Sequence, residues 1–278
     1  GKSSVLESIV GLDFLPRGDG VVTRRPLELR LNHTDEGAKP YAVFPHEIPG
    51  KKFTNFTEVR DNIVGLTDKM CGANKNIVDK PIVLQVYSHT CPDLTLIDLP
   101  GITRIAIGDQ PDNIEKITRA MAHRYVSDPR TIILVVVPAN ADMTNSDGLQ
   151  MARQLDPKGI RTIGAITKID IMDRGTNAKR MIMNMEVPLR LGYVGVKNRA
   201  QEDIINQIPV KEAAAKEAAY FASHPIYSSM PPDLLGCSEL TKKLSKILFV
   251  HIKHNMPAII NEVKEKQKEA EGELRDLG

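Results

Sequence analysis

From residue 114 onward, short apolar runs alternate with amphipathic stretches, and this alternation constrains the fold more than any other feature. Residues 131–137 are apolar and rich in β-branched side chains, which is typical of a strand buried on both faces of a sheet. The same pattern predicts strands at residues 161–167 and 193–197, and helices at 114–126, 146–155, 177–185, 200–208 and 211–223. It therefore predicts an α/β fold, with helices on both faces of a mixed, mostly parallel sheet.

The N-terminal part of the chain has a less regular pattern. It predicts helices at residues 3–10 and 55–65, and strands at 26–31 and 41–44. Residues 82–87 and 94–99 are two further apolar segments separated by a short polar stretch. We expect these two segments to be neighbouring antiparallel strands at an edge of the sheet.

The C-terminal part is predicted to be helical. Leu240, Leu244, Leu248 and Ile252 are spaced four residues apart and form one apolar stripe. Pro257 is expected to interrupt or kink this helix. Residues 262–276 are dense in Lys and Glu, and two interpretations stay open: a solvated helix end, or one helix of a bundle whose partners lie outside this sequence.

Composition excludes several classes of protein. The 278 residues carry a net charge of +2 and only 4% aromatic side chains, so nothing favours a nucleic-acid partner. The three cysteines are far apart and form no C-x-x-C motif, which argues against a disulfide framework or a zinc site and favours the cytoplasm. The pair His251 and His254 lacks a third metal ligand, so a packing or surface role is favoured. No apolar run approaches the length of a membrane span.

Gly1-Lys2-Ser3-Ser4 matches the end of the phosphate-binding loop G-x-x-x-x-G-K-[ST]. In such a loop the backbone N–H groups and the lysine bind phosphate oxygens, and the serine hydroxyl binds Mg²⁺. Because only the second half of the motif is present, we expect the sequence to be truncated at its N-terminus.

Two further segments have the spacing of a nucleotide switch. Asp98-Leu99-Pro100-Gly101 closes an apolar run, where the carboxylate would reach Mg²⁺ through water and the Gly101 N–H would bind the γ-phosphate. The glycine is needed there because the backbone must approach the phosphate without a Cβ. Thr23 lies in the preceding loop, where a second hydroxyl for Mg²⁺ is expected.

The segment Thr167-Lys168-Ile169-Asp170 indicates which base is bound. A carboxylate at Asp170 can accept hydrogen bonds from N1–H and the 2-amino group of guanine, and adenine offers neither donor. Sites built for such donors reject analogues that lack them by orders of magnitude. Asn198-Arg199-Ala200-Gln201 follows the last predicted strand and could contact the base or the ribose.

With these motifs located, the chain closely resembles the dynamin family of large GTPases. The resemblance covers almost the whole chain and rests on residues 15–26, 98–101, 108–111, 167–170 with Asp173, and 195–201. Residues that would precede Gly1 in the family, including a glutamine, a serine and the first central strand, are absent. Asp19 stands where the family usually has a small hydroxyl residue. We therefore expect the 278 residues alone to be poorly stable and to bind GTP weakly.

The resemblance implies roles for individual residues. Lys2, Ser3, Thr23 and Gly101 would be catalytic, and Ser3, Thr23 and Asp98 would hold Mg²⁺. Gly18 and Gly20 would hold a monovalent cation, Na⁺ or K⁺, and Asp142 would contact Lys168 of a second subunit. The implied nucleotide contacts are Gly1, Lys2, Ser3, Ser4, Arg17, Asp98, Gly101, Thr167, Lys168, Asp170, Asp173, Asn198, Arg199 and Gln201.

The family resemblance also implies the wider function. We expect GTP hydrolysis coupled to membrane remodelling or fission, with GTP and GDP as ligands, homodimers of GTPase domains and higher self-assembly. Membranes would be reached through regions outside this sequence from a cytoplasmic protein, with microtubules as a further candidate partner. The predicted domains are a GTPase domain at residues 1–245 and the start of a bundle-signalling or stalk helix at 246–278.

Two other functions are compatible with parts of the sequence. The main alternative is a nucleotide-gated assembly module with little turnover of its own. A monomeric signalling GTPase is disfavoured by the long insertion at residues 32–87 and by the C-terminal helix.

Overall fold

The computed structural model describes residues 1–17, 22–72, 76–104, 106, 110–173 and 175–276 and has the predicted α/β fold class. The strands are β1 (Leu27–His33), β2 (Tyr41–Phe44), β3 (Ile48–Phe53), β4 (Ile82–Ser88), β5 (Leu94–Asp98), β6 (Ile133–Pro138), β7 (Thr162–Thr167) and β8 (Tyr193–Gly195). The α-helices are α1 (Lys2–Val10), α2 (Phe56–Cys71), α3 (Ile114–Ser127), α4 (Asp147–Leu155), α5 (Lys179–Ile182), α6 (Gln201–Ile205), α7 (Val210–Ser223) and α8 (Cys237–Asp276). Short 3-10 turns lie at Met143–Asn145, Ile169–Ile171, Tyr227–Ser229 and Pro232–Leu234.

Strands β1 to β5 form a mixed sheet in the order β3-β2-β4-β1-β5. β1 is parallel to β4 and antiparallel to β5, so the prediction that β4 and β5 are direct neighbours was wrong. Short connections favour pairing of consecutive strands, but β1 takes the place between them. Its alternate side chains Leu27, Leu29 and Leu31 are all buried, and a strand paired on both edges is best placed to bury them.

Strands β6, β7 and β8 form a separate, wholly parallel sheet in that order. The strands are therefore hydrogen-bonded as two sheets rather than one. Pro138 at the end of β6 lies opposite Thr167 at the end of β7. The loops that follow these two strands consequently emerge side by side, as expected for a ligand site in a parallel sheet.

Helix α1 contributes to the cores beneath both sheets. Leu6 and Val10 pack in the cluster of the five-stranded sheet. Val5 and Ile9 pack in a second cluster with residues of β7, β8 and α8. Because its apolar side chains serve both cores, α1 holds its N-terminus at a defined place between the two sheets.

Strand β3 was not predicted. Its sequence, IPGKKF, contains a proline, a glycine and two lysines, all of which are unfavourable in strand interiors. The strand lies at the edge of the sheet, where such residues are tolerated and discourage pairing with other chains.

Two predicted helices are much shorter in the structure. α5 is a single turn, because Asn184 adopts a left-handed conformation with φ of 63° and its side chain exchanges two hydrogen bonds with the backbone of Leu189. α6 ends before Gln207, which is also left-handed. Each of these two helices ends near a single left-handed residue that interrupts an otherwise helical sequence pattern.

Helix α8 continues through Pro257, so the predicted interruption does not occur. Its first turns are anchored, since Leu240 and Leu244 are buried against α1 and β7. Further along the helix Phe249 is 69% exposed. The proposed domain boundary between residues 245 and 246 falls at this change in burial but inside a continuous helix, and it stays a prediction.

Candidate nucleotide-binding site

Three residues from distant parts of the chain converge at the N-terminus of α1. Asp98 ends β5 and is only 3% exposed. The Ser3 hydroxyl lies 3.5 Å from Asp98 Oδ2, and the Thr23 hydroxyl lies 3.3 Å from the same oxygen. These are the three residues that the sequence predicted to share one Mg²⁺ ion.

The oxygen atoms at this place, and the unpaired carboxylate oxygen of Asp98, suit a hard cation. Within the described part of the chain, Asp98 Oδ1 is buried without a hydrogen-bond partner. Burial raises the pKa of Asp98, while the positive charge of Lys2 and the hydroxyls of Thr23 and Ser3 lower it. Mg²⁺ is bound through oxygen atoms, so the Ser3, Thr23 and Asp98 oxygens could hold it together with phosphate and water.

The features expected to bind phosphate surround these oxygens. α1 begins at Lys2, and no side chain among the described residues caps its first turn, which leaves backbone N–H groups for an anion. A Cβ at Gly101 would lie 3.7 Å from Lys2 Nζ, so the lysine is next to the switch glycine. A Cβ at Gly1 would lie 3.4 Å from Thr167 Oγ1. The end of the phosphate loop is therefore adjacent to the base-recognition motif, while Ser4 is half-buried in the first turn of α1.

The base-recognition motif follows β7. Thr167 is buried at the end of that strand, whereas Lys168 is exposed and has φ of 59°. A left-handed conformation is uncommon for a lysine, and such strained residues often cluster at functional sites. Lys197 Nζ lies 3.8 Å from Asp170 Oδ2, which brings the loop after β8 to this carboxylate, and Asp173 is exposed nearby in the chain.

The segment after β8 contacts α1 instead of pointing freely into solvent. Asn198 Oδ1 accepts a hydrogen bond from the Ser8 hydroxyl at 3.2 Å. The Arg199 guanidinium, whose side chain is 6% exposed, donates to Glu7 and Asp13 at 2.9 Å each. Gln201 is exposed at the start of α6. The predicted nucleotide contacts of Asn198, Arg199 and Gln201 stay predictions.

Glu7 has a central place in this network that was not predicted. Its carboxylate accepts hydrogen bonds from the backbone N–H groups of Phe14 and Leu15 as well as from Arg17 and Arg199. Arg17, predicted to contact the nucleotide, is held here by Glu7 and Asp13. One signal was available: Glu7 interrupts the apolar run of α1 on a side that is buried, and buried acids are rare unless they are paired.

Asp142 lies in the loop after β6, on the same edge as Lys168. It is exposed, and its carboxylate accepts hydrogen bonds from the backbone and hydroxyl of Thr144, each at 2.8 Å. The hydrogen bonds from Thr144 lower the pKa of Asp142, so it is ionised at neutral pH. Its exposure leaves it available for the predicted contact with another subunit.

Some predicted residues fall outside the described part of the chain. These are Gly18, Gly20 and Asp19, and the pair Gly108 and Asp109. Among the residues that are described, no group of three or more His, Cys, Asp or Glu side chains suits a metal ion. His251 Nε2 instead lies 2.9 Å from the carbonyl oxygen of Pro129.

Comparison with known families identifies the chain. A family model described as "Dynamin family" matches residues 1–169, and a second, described as "Dynamin central region", matches residues 177–278. The chain belongs to the dynamin family. The residues that converge at α1 and after β7 lie within the first of these matched regions, apart from Asp170 and Asp173, which follow it directly.

Individual dynamins are similar along the whole chain. Dynamin-A of Dictyostelium discoideum is 46% identical and Dynamin-related protein 3B of Arabidopsis thaliana is 47% identical, over 100% and 93% of this chain. Dynamin of Drosophila melanogaster is 46% identical over 100% of the chain. The chain covers 33%, 34% and 31% of these relatives, so it spans about a third of their length.

No helix in the described residues of this dynamin-family chain is both long enough and apolar enough to cross a bilayer.

Proposed function

We propose that this chain forms the part of a dynamin-type protein that binds GTP and hydrolyses it to GDP and phosphate. The observation that carries the proposal is the convergence of the Ser3 and Thr23 hydroxyls on the buried carboxylate of Asp98, next to the start of α1. Three segments that are far apart in sequence have no packing reason to bring two hydroxyls to one buried acid. Binding of a nucleotide with its cation supplies that reason.

At the phosphate end, the chain's own groups bind and orient the anion. Lys2 and the N–H groups of the first turn of α1 neutralise the β- and γ-phosphates, and the Gly101 N–H donates to the γ-phosphate. Ser3, Thr23 and Asp98 would hold Mg²⁺, which supplies charge neutralisation when it is bound. Thr23 also helps to place the water that attacks the γ-phosphate in line. Positioning and charge stabilisation of this kind account for most of the catalysis of phosphoryl transfer.

At the other end, Asp170 reads the guanine edge and the Lys168 stem covers the base face. Asp170 accepts hydrogen bonds from N1–H and the 2-amino group, and these two donors distinguish guanine from adenine. The residues Asn198, Arg199 and Gln201 complete this end of the site, and Thr167 and Asp173 flank Asp170.

We further propose that activity rises when two GTPase domains pair. Asp142 of one copy contacts Lys168 of the other. This contact orders the nucleotide site of each copy. Gly18 and Gly20 would bind a monovalent cation, Na⁺ or K⁺, that offsets the charge between the phosphates.

In this proposal residues 1–245 form the GTPase domain, and residues 246–278 begin a bundle or stalk helix. Through other parts of the protein, hydrolysis drives membrane remodelling.

A second candidate is a nucleotide-gated assembly module with little turnover. The exposed apolar side chains of α8 favour it, because they offer a surface for another helix; they include Phe249, Ile252, Met256, Ile260 and Val263.

Hydrolysis by the full-length protein tests both candidates. With GTP and Mg²⁺, we expect phosphate release that stops with EDTA and is at least 100-fold slower with ATP. The rate per subunit should rise with protein concentration if pairing completes the site. Turnover that is negligible at every concentration, with GTP binding retained, would instead support the assembly module. Failure to bind GTP would contradict both.

A further inference from the structure

Glu217 is a buried acid that none of the nucleotide motifs contains. It lies on α7 and is only 5% exposed. Its Oε1 accepts a hydrogen bond from the backbone N–H of Lys197 at 2.7 Å, and its Oε2 accepts one from the backbone N–H of Cys237 at 2.9 Å. One carboxylate therefore joins two chain segments that are 40 residues apart.

The first of these segments is the loop after β8, which we propose to lie beside the nucleotide base. Lys197 precedes Asn198, and its side-chain nitrogen lies 3.8 Å from the carboxylate of Asp170. The hydrogen bond to Glu217 fixes the backbone at Lys197. That bond sets the direction in which the next residues leave the sheet.

The second segment is the start of α8. The N–H groups in the first turn of a helix have no acceptor within the helix, and Glu217 supplies one to Cys237 from a different helix. The same junction has a further bond, from the Gly236 N–H to the Gly195 carbonyl at 2.8 Å. Asn198 Oδ1 is also 3.8 Å from the Cys237 sulfur.

A buried carboxylate destabilises the fold unless hydrogen bonds compensate for its burial. Burial raises the pKa of Glu217, and the hydrogen bonds from the Cys237 and Lys197 amides oppose that rise. A buried acid is tolerated when its hydrogen bonds are satisfied, and removing one partner leaves the others unpaired. The two backbone amides that it accepts from therefore explain why a carboxylate is buried at this position.

We propose that Glu217 is a positioning residue for guanine recognition, which holds the Lys197–Asn198 backbone in place and ties it to the first turn of α8. Glu217 does not touch the nucleotide itself. It acts through Lys197 and Asn198, so its loss weakens binding at the base end and loosens the link to α8. This proposal rests on the proposed GTP-binding function.

Glu217→Gln tests the proposal with little change in shape. Glutamine keeps one acceptor oxygen but places an NH₂ group where the second oxygen was, so one of the two backbone N–H groups loses its acceptor. A hydrogen bond to a charged group contributes enough for roughly a tenfold change in affinity. Glu212→Gln is the matched control, because Glu212 is exposed on the same helix and pairs only with Lys216 among the described residues.

The experiment compares the full-length wild type with both variants at a temperature where circular dichroism shows all three folded. We expect Glu217→Gln to release a fluorescent GDP analogue about tenfold faster and to raise KM for GTP by a similar factor. The rise in KM should exceed any change in kcat. In wild type, GDP should slow backbone hydrogen exchange at residues 236–240, and this effect should be lost in Glu217→Gln. A merely structural role would lower the melting temperature without this pattern.

Each outcome decides the proposal. GDP release and KM equal to those of wild type and Glu212→Gln would overturn the role of Glu217 while leaving the proposed function intact. Failure of the wild type to bind GDP would overturn the proposed function, and the role of Glu217 with it. If Glu217→Gln does not fold, the exchange measurement on the wild type decides alone. Unchanged exchange at residues 236–240 on addition of GDP would then overturn the proposal.

Discussion

Arg199 and Glu7 form a buried ion pair, with Arg199 Nη2 2.9 Å from Glu7 Oε2 and side chains that are 6% and 3% exposed. The pair joins the loop after β8 to α1. It therefore connects the segment that we propose to contact the base with the helix whose N-terminus we propose to bind the phosphates. Asp13 and Arg17 extend the same network into the loop that follows α1.

Arg199→Met should destabilise the protein by about 3 kcal/mol, because it leaves the buried Glu7 carboxylate without one of its charged partners. Adding Glu7→Gln to this variant should lower the free energy of unfolding by less than Glu7→Gln does in the wild type. Urea denaturation of the four proteins measures this coupling as a double-mutant cycle. Arg190→Met, at an exposed position, is the control and should change stability by less than about 0.5 kcal/mol. Strict additivity of the two changes would contradict an energetic link between the loop and α1.

Asp98→Asn should remove the effect of Mg²⁺ on nucleotide binding without destabilising the nucleotide-free protein. Burial raises the pKa of Asp98, so its ionised form is costly in the fold, and a neutral amide of the same shape avoids that cost. Dissociation of a fluorescent GDP analogue, measured with Mg²⁺ and with EDTA, should differ in the wild type and coincide in the variant. A Mg²⁺ effect of wild-type size in the variant would show that Asp98 does not help to hold the ion.

Asp170→Asn should change base preference from guanine to xanthine. Xanthine has a carbonyl where guanine has the 2-amino group, and an asparagine amide can donate to that oxygen. We expect GTP to bind roughly 100-fold more weakly and XTP to bind more tightly than in the wild type. Competition between the two nucleotides for a fluorescent analogue measures both changes. An unaltered preference for GTP would mean that Asp170 does not read the base.

Asp147→Asn should make stability less sensitive to acid. Burial of Asp147 opposes its ionisation, but hydrogen bonds and charge from Arg104 and Arg119 lower its pKa overall. The ion pairs therefore stabilise the fold above the usual carboxylate pKa of about 4, and this stabilisation is lost as the pH falls through the lowered pKa of the native state. At pH 7 the variant should be less stable by about 1 kcal/mol. The difference should shrink steadily in urea denaturations between about pH 4 and pH 2. A difference that stays constant over that range would contradict the ion-pair explanation.

Local sequence located the motif segments within the fold. Ser3 lies at the start of a predicted helix, Asp98 at the end of a predicted strand and Asp170 just after another, and the structure has a helix or strand at each of these places. The roles of these residues in nucleotide binding stay predictions. The alternation of strands and helices after residue 114 was also predictable, because apolar runs such as residues 131–137 are bounded by polar segments.

Features set by contacts between distant segments could not be predicted. The position of β1 between β4 and β5 depends on the burial of three leucines, which outweighs the tendency of consecutive strands to pair. The partners of Glu7 and Glu217 come from distant segments. Arg199 pairs with Glu7, and the backbone amides of Lys197 and Cys237 donate to Glu217. Pro257 was expected to interrupt or kink its helix; the helix is not interrupted, since one lost hydrogen bond does not end a 40-residue helix, and the kink stays a prediction.

The most direct test of the central claim is GTP hydrolysis by full-length Lys2→Ala, measured beside the wild type and Lys158→Ala. Lys158 is exposed and takes no part in the proposed site. Because Lys2 neutralises phosphate charge that grows in the transition state, its loss should slow turnover at least 100-fold. Lys158→Ala should match the wild type, and circular dichroism should show all three folded. Hydrolysis by Lys2→Ala within twofold of the wild-type rate would contradict the account of this chain as a GTPase.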